Sequence, residues 1–143
     1  MDRARDHYRK VLELYPQDQE TRALLGRVDK DAWVAAWRRP DNRPEQMRDE
    51  AAYEEALLRA AIDSYANGYR SNPRHYYSGI NVLTLMHLYR HLTKDSRYDR
   101  AMSTMAGAVR FAAESEPDES QRYWSKATLG DLEVVYSGYP DEA

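Results

Sequence analysis

The chain has no cysteine, a single phenylalanine, and only six glycines and six prolines in 143 residues. Without cysteine there is no disulfide framework and no thiolate metal site, which fits a reducing cytosol. Charges interrupt every apolar stretch within a few residues, so no segment reads as a membrane span. Acidic and basic residues alternate from Met1 to Glu20, unlike a secretion signal. These absences lead to the expectation of a cytoplasmic chain. Catalytic signatures are missing too: there is no G-x-S-x-G elbow, no Walker loop, no glycine-rich nucleotide turn and no cysteine nucleophile. Acidic pairs such as Glu54-Glu55 suit solvated helical faces and need no catalytic role. The expectation is a non-enzymatic chain without a cofactor. A net charge of −3 gives no electrostatic footprint for a nucleic-acid backbone.

Strand patterning is also absent, and apolar residues recur at three- and four-residue spacing almost throughout. The periodicity predicts six helices, at roughly 2–15, 19–38, 48–71, 77–93, 97–115 and 120–137. Pro16, Asn72-Pro73 and Glu116-Pro117-Asp118 mark helix ends, and Pro40 and Pro44 fall in a polar inter-helix linker over 38–47. Lys94-Asp95-Ser96 reads as a short turn, with Asp95 or Ser96 as N-cap of the next helix. The aromatic content is skewed, with twelve tyrosines and three tryptophans. Tyrosine buries its ring while its hydroxyl stays hydrogen-bonded, which suits partly wet grooves between helices.

A repeat runs beneath this punctuation. Ala4, Tyr8, Leu12 and Pro16 stand four residues apart, and so do Ala61, Tyr65, Tyr69 and Pro73. Both sets resemble the second helix of a tetratricopeptide repeat: a small contact residue, an aromatic one turn later, and a terminating proline. Leu25-Gly26 is similar to the leucine-glycine of a first helix. Gly138, Tyr139 and Ala143 read as the turn and first contact of another second helix. The fold expected is all-α, a tetratricopeptide-like α-solenoid of about six helices in three antiparallel pairs, forming a single domain over 1–143. The chain begins at a second helix and stops where another should start. It is therefore expected to be a piece of a longer array, or to have its end helices covered by a neighbour. Val134-Val135-Tyr136 makes a poor polar cap, so the terminal helices also offer a route to homo-oligomers.

Four motifs narrow the resemblance. Leu25-Gly26-Arg27-Val28-Asp29-Lys30-Asp31 with Trp33, Ala61-Ile62-Asp63-Ser64-Tyr65-Ala66-Asn67-Gly68-Tyr69, Tyr76-Tyr77-Ser78-Gly79-Ile80-Asn81, and Tyr123-Trp124 with Ala127-Thr128-Leu129 follow one another in order. Together, over about residues 20–136, they resemble the TRAFs-binding, central regulatory region of apoptosis signal-regulating kinases and its bacterial sensor-type relatives. Asp29 stands where that pattern has tyrosine, and Ser64 where it has tryptophan. The resemblance implies regulatory sensing or scaffolding beside an associated or fused effector. For the bacterial relatives it implies a nucleotide-derived ligand.

Helix geometry then selects candidate residues. With Gly26 at the small-residue contact, Arg27, Lys30 and Asp31 are expected on the inner groove. Asn81, Thr84, His87 and His91 form a polar row on the next first helix, and Trp124, Thr128 and Asp131 repeat it on the last. The candidate ligand-binding set is Arg27, Lys30, Asp31, Tyr77, Asn81, Thr84, Trp124 and Thr128. Arg27 and Lys30 would neutralise an anionic, nucleotide-like ligand; Asp31 and Asn81 would orient it; Tyr77 and Trp124 would wall it. An exposed helix start near Ser78-Gly79-Ile80 would also suit a phosphate. Other readings of the same residues stay open. Arg27–Asp31 is also a surface i,i+4 pair, Gly79 also permits a tight helix start, and Asn81 also reads as a bond to the neighbouring repeat's backbone. Trp33 and Trp37 read mainly as packing. His87 and His91 share a face but find no third ligand, so no metal site is expected. The alternative function is a protein-interaction scaffold whose polar motifs are structural.

Overall fold

The computed structural model describes residues 2–137. Its helices are α1 (Asp2–Leu14), α2 (Gln19–Trp37), α3 (Pro44–Tyr53), α4 (Glu55–Ser71), α5 (Tyr76–Thr93), α6 (Asp99–Glu114) and α7 (Arg122–Ser137), with one 3-10 turn at Glu119–Gln121. Among the described residues there is no strand. The all-helical class and most helix boundaries agree with the periodicity. Gly138, Tyr139 and Ala143, read as the start of a further repeat, lie outside the described residues.

Packing follows the order expected of stacked helix pairs. α1 packs on α2, α2 on α4, α4 on α5, α5 on α6, and α7 on both α5 and α6. The α4 sequence explains its central role. Leu58, Ala61, Ile62, Tyr65, Ala66 and Tyr69 recur at three and four residues and form one fully buried stripe. α5 is buried over most of its circumference, through Ile80, Val82, Leu83, Leu85, Met86 and Tyr89, because α3, α4, α6 and α7 all touch it. Val109 of α6 and Leu132 of α7 close the core.

The small-residue contact at Gly26 is real. A Cβ there would lie 2.8 Å from Cδ1 and 2.9 Å from Cγ of Tyr65, so α2 and α4 meet at this distance only because position 26 has no side chain. Gly79 does the same between α5 and α6, where a Cβ would run into Val109 and the Tyr69 ring. Gly79 therefore serves close packing inside α5, which begins at Tyr76, and is not a turn residue.

Two expectations need correction. The irregular connection after α2 is shorter than 38–47, because α3 starts at Pro44. Proline at the first helical position needs no donor there, and the Gln46 side chain reaches back to accept the Arg43 N–H at 2.9 Å. The single helix expected over 48–71 is interrupted at Glu54. The interruption has a tertiary cause. Trp33 Nε1 donates to the Ala51 carbonyl at 3.1 Å, the carbonyl that a continuous helix would offer to the amide of Glu55. α3 thus leaves the line of α4 and lies against both α2 and α5.

Candidate functional site

Three helices, α2, α5 and α7, face a groove of about 900 Å³, and α3 closes one side of it. The volume is in the range of small-molecule sites. Of the eight candidate residues, six line it: Lys30, Tyr77, Asn81, Thr84, Trp124 and Thr128. Arg27 and Asp31 do not. They stand exposed, 4.0 Å apart, as an i,i+4 ion pair. Helical rotation explains the difference. The groove stripe of α2 is Lys30, Trp33, Val34 and Trp37, and at 100° per residue Arg27 and Asp31 lie about 70° and 110° round from its centre. Their charges reach the Tyr65 phenol, which is itself outside the lining. Burial first, then Tyr77 and the Asp31 carboxylate, pushes that phenol well above its ordinary range, and Arg27 opposes the rise.

The polar side chains that do line the groove are partly committed to their own helices. Asn81 Nδ2 donates to the Tyr77 carbonyl at 2.9 Å, and Thr84 Oγ1 to the Ile80 carbonyl at 2.8 Å. The Asn81 bond is therefore to its own helix and not to the neighbouring repeat. It leaves the amide oxygen as the group that can accept from a ligand. His87 and His91 of the expected polar row are not part of the lining. His91 Nε2 is 3.4 Å from Arg48 Nη2. Among the described residues, no three His, Cys, Asp or Glu side chains are grouped to hold a metal ion.

The groove expected to be polar is chiefly apolar. Trp33, Val34 and Trp37 of α2 contribute to its wall, with Met47 and Ala51 of α3, Ile80, Leu85, Leu88 and Leu92 of α5, and Val134 and Val135 of α7. Trp33 and Trp37 pack edge to face at 5.5 Å and serve core and groove at once. Cations border it at Lys30 and Arg48, with Asp131 the one carboxylate of the lining among the described residues. Sequence reasoning missed the α3 contribution. Its available signal was Pro44 with Gln46 two residues on, a helix-start pattern read as linker.

A second hollow of about 370 Å³ adjoins the first across Tyr76, Tyr77 and Trp124 and adds Arg74, His75, Glu116 and Gln121. His75 Nδ1 lies 2.6 Å from the buried Ser78 hydroxyl, and burial lowers the affinity of its ring for a proton. The Tyr76 phenol is pushed up to about 12, by burial first and then by its bond to Glu116.

Asp29 and Ser64, the two departures from the pattern that the sequence resembles, meet each other. Ser64 Oγ donates to Asp29 Oδ2 at 2.5 Å, and Arg5 Nη2 and Nε donate to Asp29 Oδ1 at 2.7 and 3.1 Å. This network ties α1 to α2 and α4, and none of its members lines the groove. The Asp29 side chain is 11% exposed, and arginine and serine supply the partners that such burial demands.

No helix among the described residues is long and apolar enough to cross a membrane. No curated protein and no solved structure gives a significant match to the chain. The expected likeness to the kinase regulatory region finds no counterpart in these comparisons. Residues 1–86 match the Tetratricopeptide Repeats-Sensor family. That stretch covers the Gly26–Tyr65 contact, α3 and the first half of the α5 groove wall. The chain therefore belongs to the Tetratricopeptide Repeats-Sensor family.

Proposed function

We propose that the chain is a non-enzymatic regulatory sensor whose groove takes a small anionic ligand, nucleotide-like in its first-tested form, and passes occupancy to an associated or fused effector. The observation that carries this reading is one cleft walled by Trp33, Trp37, Tyr77 and Trp124, with Lys30 and Arg48 at its border. Flat side chains suit a base or other planar group, and the cations suit its charge. Lys30 neutralises the ligand, the Asn81 amide oxygen and the Thr128 hydroxyl orient it, and Tyr77 and Trp124 wall it. Arg27 and Asp31 stand outside the lining as an exposed ion pair and contribute little to binding.

Calorimetric titration of the purified chain with nucleoside mono- and diphosphates, with native mass spectrometry for co-purified ligand, tests this. Lys30→Ala should weaken binding about tenfold, the size of a lost charge-assisted hydrogen bond. Arg27→Ala should change it less than about threefold, as for an exposed charge. Absence of any bound or co-purified small anion defeats the reading. The apolar lining favours one second reading, a scaffold that receives the apolar face of an amphipathic helix. Under it, a peptide binds and the Lys30→Ala effect is small.

A further inference from the structure

The groove changes character along its length, and the packing gives that change a direction. Tyr77 and Trp124 share a wall of the second hollow, so the first turns of α5 and α7 lie together. Gly26 of α2 packs on Tyr65 and Gly79 of α5 on Tyr69, one turn apart on α4, which sets the middle of α2 at that end too. At the other end Arg48 reaches His91, in the last turn of α5, and Asn42 Nδ2 donates to the Trp37 carbonyl at the end of α2. The three groove helices therefore run in the same sense. At the Tyr77–Trp124 end the lining includes Lys30, Asn81 and Thr128. Beyond Thr84 and Asp131 it is apolar, with Trp37, Met47, Leu88 and Leu92, until Arg48 at the far mouth. From Asn81 to Leu92 this path is about 16 Å at 1.5 Å per residue.

We infer that the groove binds a free single-chain anionic amphiphile, a phosphate- or carboxylate-headed molecule with an apolar tail of medium length. This rests on the reading of the groove as the ligand site and names its ligand class. The head sits at Lys30 with Asn81 and Thr128. The tail runs between Trp37, Leu88 and Leu92 and is covered by Met47 of α3. A bare nucleotide fills the first half and leaves the second in water. An apolar tail removes that surface from water as well.

The test is calorimetric titration of the full chain with hexyl, octyl and decyl phosphate below their micellar concentrations, beside inorganic phosphate and adenosine monophosphate. Affinity should rise about fourfold per methylene. Lys30→Ala should weaken every member of the series by a similar factor. Leu88→Ser should weaken decyl phosphate far more than hexyl phosphate, and Val34→Ser on the facing wall replaces it if Leu88→Ser does not fold. Phe111→Ser, exposed on α6 and outside the groove, should change nothing. Binding of the nucleotide with no dependence on chain length overturns the amphiphile and keeps the sensor reading. Failure of every anion to bind overturns both. A chain-length dependence that survives Leu88→Ser and Val34→Ser overturns the proposed tail path. A head effect seen with Arg48→Ala and not Lys30→Ala reverses the orientation and overturns it as stated. Preference for anionic vesicles over monomeric decyl phosphate also counts against it.

Discussion

Asp29 shows how a single position can change chemistry without changing its place in a fold. An aromatic side chain there would fill the α1–α2–α4 junction by area, whereas a carboxylate needs donors, and Arg5 and Ser64 provide them. Asp29→Leu should cost about 1–2 kcal/mol, less than for a fully buried pair because Arg5 is 23% exposed. Arg5→Met should cost a similar amount. The double variant should be more stable than the sum of the two predicts, since neither charge is then left alone. Strict additivity in urea unfolding would show that Arg5 and Asp29 are not energetically coupled. A second residue-scale consequence concerns His75 and His87, both held below the ordinary 6.5, His75 by burial and His87 by burial, His91 and Arg90. The folded state then binds fewer protons than the unfolded one. Stability is full above about pH 6.5 and falls as the pH drops below it. The melting temperature should decline from pH 7 to pH 5, and His75→Gln with His87→Gln should flatten that decline. The carboxylates of Asp95 and Asp118, held below 3.8, act only in more acidic solution.

At the scale of elements, four glycines divide into two kinds. Gly26→Ala and Gly79→Ala force a methyl into Tyr65, or into Val109 and Tyr69, and should cost about 1–3 kcal/mol by overpacking. Gly107 and Gly130 face open space within α6 and α7, so Gly107→Ala and Gly130→Ala should each add about 0.5–1 kcal/mol. Equal responses in all four under denaturant would contradict the packing described. Of the first kind, Gly26 was legible in sequence, because Leu25-Gly26 and Ala61-x-x-x-Tyr65 state both halves of one contact; Gly79, whose partners lie on two other helices, read as a tight helix start. The α3–α4 interruption was not. No proline or glycine marks Glu54, and the group that breaks the ladder, Trp33, is 18 residues away from the carbonyl it takes. The candidate site was legible to the same degree. Rotation about α2 put Lys30 on the groove lining but also Arg27 and Asp31, which stand outside it, while Trp33 and Trp37 read as packing and Val34 went unread. Their second duty as a wall appears only once α3 leaves the line of α4 and faces them.

For the molecule as a whole, the groove is where α2, α5 and α7 converge and α3 closes one side. All three tryptophans of the chain, Trp33, Trp37 and Trp124, stand on its wall, and none is placed elsewhere. The protein therefore carries its own optical probe. Filling the groove drives water from the indoles, so tryptophan emission should move to shorter wavelength as ligand is added, whether or not the ligand absorbs light. Trp124 is 57% exposed and should supply most of the shift, while Trp33, at 3%, has little left to lose. Trp124→Phe should abolish most of the change, and an unchanged shift in that variant would place the binding event away from α7. A molecule that docks on the outer surface of α6 would leave the emission as it is. Occupancy of this one cleft can thus be followed in the unlabelled chain, in real time and at low concentration.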